Sequence, residues 1–144
     1  METNTQTCTV SKTALWIGYI MSAIPVVMLL VGAVMKFMRP PMVMEGFKHL
    51  GLPETLAVGL GILEIVCSLI YVIPRTSVLG AILLTGYFGG AVLAHLRVGD
   101  PFIGAVLFGV LVWGGLFLRD PRLRALMPLR QPCQLARQTE SVLP

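Results

Sequence analysis

Lys36, Glu64 and His95 are the three residues of this sequence whose types and positions suit acid–base or ion-pair chemistry in apolar surroundings. Glu64 stands inside residues 55–73, a run of 19 residues with no other charge. A run of that length crosses a bilayer as a helix. A carboxylate at such depth costs several kcal/mol unless it is paired, protonated or hydrated, so it marks a functional site by default. Lys36 and His95 lie near the ends of two other apolar runs. A lysine can supply a counter-ion or hold an anion. An imidazole can donate, accept or exchange a proton near neutral pH.

The elements that must position these groups follow from hydropathy. Apolar runs cover residues 14–35, 55–73, 77–96 and 102–118, each of about 17 to 22 residues. They are continuous rather than alternating, which predicts helices instead of barrel strands. The chain is 56% hydrophobic and 12% charged. Soluble domains carry about a quarter charged residues, and 144 residues cannot hide such an apolar excess in one soluble core. The expected fold class is all-α, an integral membrane four-helix transmembrane bundle. The expected organisation is a polar N-terminal tail at 1–13, the transmembrane domain at 14–121 and a basic C-terminal tail at 122–144. The first run has one preceding lysine, no small-residue cleavage site and excess length for a signal peptide, so it reads as a retained span.

Connections fix the packing order. Pro40-Pro41 ends the first span, and the short segment after it spaces Met42, Val43, Phe47 and Leu50 as in a surface helix; an ordinary loop is the alternative. Gly51-Leu52-Pro53-Glu54 reads as a helix stop and a new start. Pro74-Arg75-Thr76 is so short that the spans around it must be antiparallel neighbours. Residues 97–101 impose the same on the third and fourth. With four crossings both termini share a side, together with Lys12, Arg75, Arg119, Arg122, Arg124, Arg130 and Arg137. Lys36, Arg39, Lys48 and Arg97 face the other side. The positive-inside bias then predicts cytoplasmic termini in a bacterial inner membrane.

In this topology Lys36 and His95 lie at the outer ends of their spans. Glu64 enters from the same side, roughly 13 Å of helical rise below the surface. The three can meet in the outer half of the bundle. Glu64 shares its helix face with Ala57, Leu60, Gly61, Cys67, Ser68 and Tyr71, a small and polar stripe suited to a bundle interior. Ser68, Tyr71, Tyr87 and Arg97 are the candidate lining of a polar pocket around the three. Two readings stay open: a pocket that binds a small molecule or handles a proton, and a structural Lys36–Glu64 pair that fixes helix registry. Gly86 and Gly90 have GxxxG spacing, which predicts close helix packing within the monomer ahead of a dimer seam. Trp16, Tyr19 and Trp113 suit an interfacial belt.

No phosphate-binding, nucleophile-elbow, zinc-protease or haem-attachment motif is present. Cys8, Cys67 and Cys133 form no metal or redox pair by spacing. No metal site and no catalytic residue is assigned, and the net charge of +4 reads as a topology signal with no nucleic-acid partner implied. The partner expected from composition is the lipid bilayer.

The landmarks in chain order are Lys36, Gly51-Leu52-Pro53, Gly61-Ile62-Leu63-Glu64, Pro74-Arg75, His95-Leu96-Arg97, Gly99-Asp100-Pro101, Trp113-Gly114-Gly115 and Arg119-Asp120. Together they resemble the DoxX-like family of small four-helix membrane proteins. The family takes its name from a membrane component associated with a thiosulfate:quinone oxidoreductase, and most members have no assigned activity. The leading expectation is a small-molecule-binding or accessory membrane protein with a polar pocket built on Lys36, Glu64 and His95. A second expectation is the membrane subunit of a quinone-linked redox system, with a bound quinone as cofactor and a redox partner subunit. The chain has no redox motif of its own, so any enzyme activity would be that of a subunit. A third expectation is a small transporter acting as a homo-oligomer.

Overall fold

The structure is a computed structural model that describes residues 12–126. Six helices follow one another: α1 (Lys12–Met38), α2 (Pro41–His49), α3 (Leu56–Val72), α4 (Ser77–Val98), α5 (Ile103–Arg119) and α6 (Pro121–Leu126). The four apolar runs become α1, α3, α4 and α5, with no strand among the described residues. α1 and α4 are long and apolar enough to cross a membrane, and α3 and α5 are shorter apolar helices. At 17 residues each, α3 and α5 rise about 26 Å, near the lower limit for a span. The architecture is a helical membrane bundle.

Sequence chemistry sets the helix ends. α1 runs on to Met38, three residues past its apolar run, and stops where Pro40 and Pro41 remove successive backbone donors. Pro41 is then the first residue of α2, where a missing N–H costs nothing. The segment predicted as a surface helix or a loop is therefore helical. α4 is closed by Gly99 in the left-handed region (φ 78°); its N–H reaches the Leu96 carbonyl, and the N–H of Asp100 reaches that of His95. Past Asp120 the chain turns into α6, inside the stretch expected to be tail. Cys8, Cys133, Arg130 and Arg137 lie outside the described residues.

α1 and α4 each pack against both α3 and α5, giving the cyclic order α1, α3, α4, α5. Missing side chains set the closeness of two crossings. A Cβ at Gly80 would collide with the backbone of Tyr71, so α3 and α4 touch main chain to main chain. At the α1–α5 crossing, a Cβ on Gly115 would lie 2.9 Å from the Gly18 carbonyl oxygen. The core between these helices holds Leu29, Cys67, Tyr71, Leu84, Val112 and Leu116. The perimeter is apolar as well: Ile20, Val31, Leu69, Ile82, Leu93 and Leu107 are all exposed. Such a surface suits lipid and would be a liability in water.

The GxxxG expectation needs correction. Gly86, Gly89 and Gly90 have open space where a Cβ would stand, and Gly86 and Gly90 are exposed. Close packing in this monomer uses Gly80, Gly18 and Gly115 instead. Trp113 also departs from the interfacial reading, because its indole N–H donates to Thr85 Oγ1 at 2.8 Å and ties α5 to α4. Trp16 is 70% exposed at the start of α1.

A polar cluster pins the end of the bundle opposite α2. The Tyr71 hydroxyl lies 2.8 Å from the Val112 carbonyl and 2.9 Å from Ser22 Oγ. The phenol has one proton, so the two bonds need the Ser22 proton too. Arg119 donates to the Tyr71 carbonyl at 3.2 Å and lies over its ring at 4.7 Å. One turn away, Ser68 Oγ is buried with no hydrogen-bond partner among the described residues. An unsatisfied buried hydroxyl costs about 1–3 kcal/mol. Ser68→Ala is therefore expected to stabilise the protein by about 1 kcal/mol, seen as a higher thermal midpoint in detergent. A lower midpoint would mean that the hydroxyl has a partner.

Candidate functional site

The buried face of α3 consists of Ala57, Gly61, Glu64, Cys67, Ser68 and Tyr71. The i, i+3, i+4, i+7 spacing turns Glu64 into the bundle, where its side chain is 3% exposed. Lys36 approaches from the last turn of α1. Its ammonium lies 2.8 Å from Glu64 Oε1 and 3.0 Å from Oε2, and 3.5 Å from the Gly32 carbonyl of its own helix. The Lys36 side chain keeps 16% exposure. Gly32 makes room for the pair: a Cβ there would touch Lys36 Nζ at 3.5 Å and Glu64 Oε2 at 3.6 Å.

A third helix joins through Tyr87 of α4, whose hydroxyl donates to Glu64 Oε1. One carboxylate thus ties α1, α3 and α4 together in charge-assisted hydrogen bonds, the strong kind in apolar surroundings. Sequence reasoning placed Tyr87 only among lining residues and missed this bond. A signal was available, since a mid-span tyrosine hydroxyl needs a partner that the neighbouring Phe88 does not.

His95 joins neither Lys36 nor Glu64 by a hydrogen bond. Its Nδ1 lies 2.8 Å from the Ala91 carbonyl one turn back on α4. It does line the same space. Two cavities flank the Glu64–Tyr87 bond, and Tyr87 and His95 border both. The smaller, about 320 Å³, lies among α1, α4 and the start of α5, with Glu64, Phe88 and Phe108 in its wall. The larger, about 640 Å³, lies among α1, α3 and α4 beneath α2. Lys36, Tyr87 and His95 supply its polar side, and Leu60, Gly86 and Gly90 part of its apolar side. The missing side chains at Gly86 and Gly90 hollow it out and leave it open along α4.

α2 roofs the larger cavity with Val43, Phe47 and the adjoining Leu50. Two contacts hold it there. His49 Nε2 lies 3.0 Å from Asp100 Oδ2, and Arg97 donates to the Leu50 carbonyl. The His49–Asp100 contact joins the end of α2 to the turn after α4, far apart in the chain, and no spacing rule announces that. Arg97, expected as lining, holds the roof and does not border the larger cavity. Ser68 and Tyr71 also border neither cavity, and Tyr71 belongs to the cluster with Ser22, Val112 and Arg119.

In chemical terms, the site is a neutralised ion pair with a phenol on one carboxylate oxygen, an imidazole nearby and an apolar cavity alongside. No curated protein and no solved structure matches the chain. A family model described as the DoxX-like family matches residues 20–117, a segment that holds the ion pair, the residues lining both cavities, all of α2, α3 and α4, and most of α1 and α5. The chain belongs to the DoxX-like family.

Proposed function

We propose that this integral membrane protein binds a small apolar molecule in the cavity under α2, with the polar part of the ligand toward Lys36, Tyr87 and His95. The observation that carries this reading is the coincidence of the two features. The Lys36–Glu64–Tyr87 constellation borders a cavity of about 640 Å³, within the usual range for ligand sites. A structural ion pair alone needs no such space. The cavity opens along Gly86 and Gly90 on the apolar perimeter, so a lipophilic molecule reaches it from the bilayer.

Gly90→Leu is the direct test. A Cβ at that position meets no atom within 4 Å, so the variant is expected to fold and the leucine to fill the cavity that Gly90 borders. Mass spectrometry of material extracted from gently purified protein is expected to find a small apolar molecule with the wild type and at least tenfold less with Gly90→Leu. Equal amounts in both would remove the cavity from the account.

A quinone-linked redox subunit is the second reading. The lateral opening favours it, because a membrane quinone is such a lipophilic molecule. A partner subunit would then supply the electrons, since this chain offers a binding site and no redox group of its own.

The proposed location is a bacterial inner membrane with both termini cytoplasmic, on the strength of the basic bias. In a background with Cys8, Cys67 and Cys133 changed to serine, impermeant thiol labelling from outside the cell is expected to reach Lys48→Cys and miss Arg75→Cys. The reverse pattern would place the α2 end in the cytoplasm.

A further inference from the structure

A count of hydrogen-bond capacity around the cavity selects the chemistry of what fits there. The donors are already committed. Lys36 spends its ammonium protons on both Glu64 oxygens and, at longer range, on the Gly32 carbonyl. Tyr87 gives its single proton to Glu64 Oε1. His95 Nδ1 faces the Ala91 carbonyl at 2.8 Å, and a carbonyl only accepts, so the proton of the neutral imidazole sits on Nδ1. Nε2 is left with a lone pair and no protein partner among the described residues. The side chains bordering the cavity therefore offer spare acceptors, His95 Nε2 first, and no spare donor. The Lys36–Glu64 pair is internally neutral, so it attracts neither an anion nor a cation strongly.

We infer that the larger cavity takes a neutral lipophilic molecule bearing a hydroxyl or N–H group, which donates to His95 Nε2, and discriminates against carbonyl-only or ether analogues. The inference rests on the cavity reading above and specifies its ligand class. Applied to a membrane quinone couple, it selects the quinol over the quinone. The quinol has two hydroxyl protons to give, whereas the quinone carbonyls need donors that are already spent. The lateral opening and the apolar walls account for the lipophilic body, and the acceptor on His95 accounts for the head.

The test uses a matched pair of probes, para-hexylphenol and its methyl ether, on the full chain in detergent micelles. One added hydrogen bond is worth roughly a two- to tenfold change in affinity. The phenol is expected to bind the wild type tighter by that factor. His95→Phe keeps a ring in the wall and removes the acceptor; its lost bond is to its own helix backbone, so the fold survives. It should bind both probes equally, at the affinity of the ether. Equal binding of the two probes by wild-type protein, or a preference that persists in His95→Phe, would overturn the donor inference. Gly90→Leu separates that failure from failure of the cavity itself, because it should abolish binding of both probes. If Gly90→Leu binds them as the wild type does, the cavity reading falls. If Gly90→Leu instead turns a dimer into a monomer with probe binding unchanged, the groove along Gly86 and Gly90 belongs to a second copy of the chain.

Discussion

Removing either member of the Lys36–Glu64 pair is expected to cost about 3 kcal/mol of stability, and removing both is expected to recover most of it. Glu64→Leu leaves the Lys36 ammonium beside apolar walls and strips Tyr87 of its acceptor. Lys36→Met leaves a carboxylate 3% exposed with one phenol for company. The double variant has neither stranded charge, and methionine and leucine fill comparable volume. The 16% exposure of Lys36 keeps the cost toward the low end of the range for buried pairs. Thermal unfolding of the four proteins in one detergent gives the coupling energy directly. Losses that simply add, with no recovery in the double variant, would mean that the two groups do not act on each other.

Gly80→Ala is the second large effect expected, a loss of about 3 kcal/mol from the addition of one methyl group. The new Cβ would overlap the backbone nitrogen and Cα of Tyr71, and backbone in a packed helix has no rotamer by which to yield. The displacement would also strain the Tyr71 hydroxyl bonds to Ser22 and Val112. Gly86→Ala supplies the control within the same helix. Nothing lies within contact of its Cβ, so the change should be neutral or stabilise by up to about 1 kcal/mol through helix propensity. Equal thermal midpoints for the two variants would show that α3 and α4 do not cross main chain to main chain.

The contrast between these two glycines marks where sequence reasoning stops. GxxxG spacing announces that side chains are missing from one face of α4. It does not say whether a helix or a cavity occupies the space, since both need the same absence. The four spans were legible because apolar runs long enough to cross a bilayer have few alternatives in a chain this poor in charge. Their ends shifted by one to three residues, as at Met38 and Val98, because Lys36 and Arg97 continue a helix that hydropathy alone ends early. Convergence of Lys36 on Glu64 was legible too, because strict alternation of helix direction puts both at one end. His95 was placed at the correct end, but its rotamer and its bond to Ala91 are set by local packing that a sequence does not encode separately. Tyr71 shares the face of Glu64 and was assigned to the same pocket. Seven residues of α3 carry it about 10 Å away, into the cluster at the opposite end.

The most direct measurement of the central claim is the ligand content of the Lys36→Met, Glu64→Leu double variant beside that of the wild type. The double variant should recover most of the stability that either single change removes, short of the cost of a Tyr87 hydroxyl left without Glu64, so the comparison is made between two folded proteins. If the constellation exists to hold a molecule, mass spectrometry of gently purified protein will find an apolar ligand in the wild type and little or none in the double variant. If the pair serves registry alone, the folded double variant will carry the same molecule in the same amount as the wild type, and that result would contradict the account.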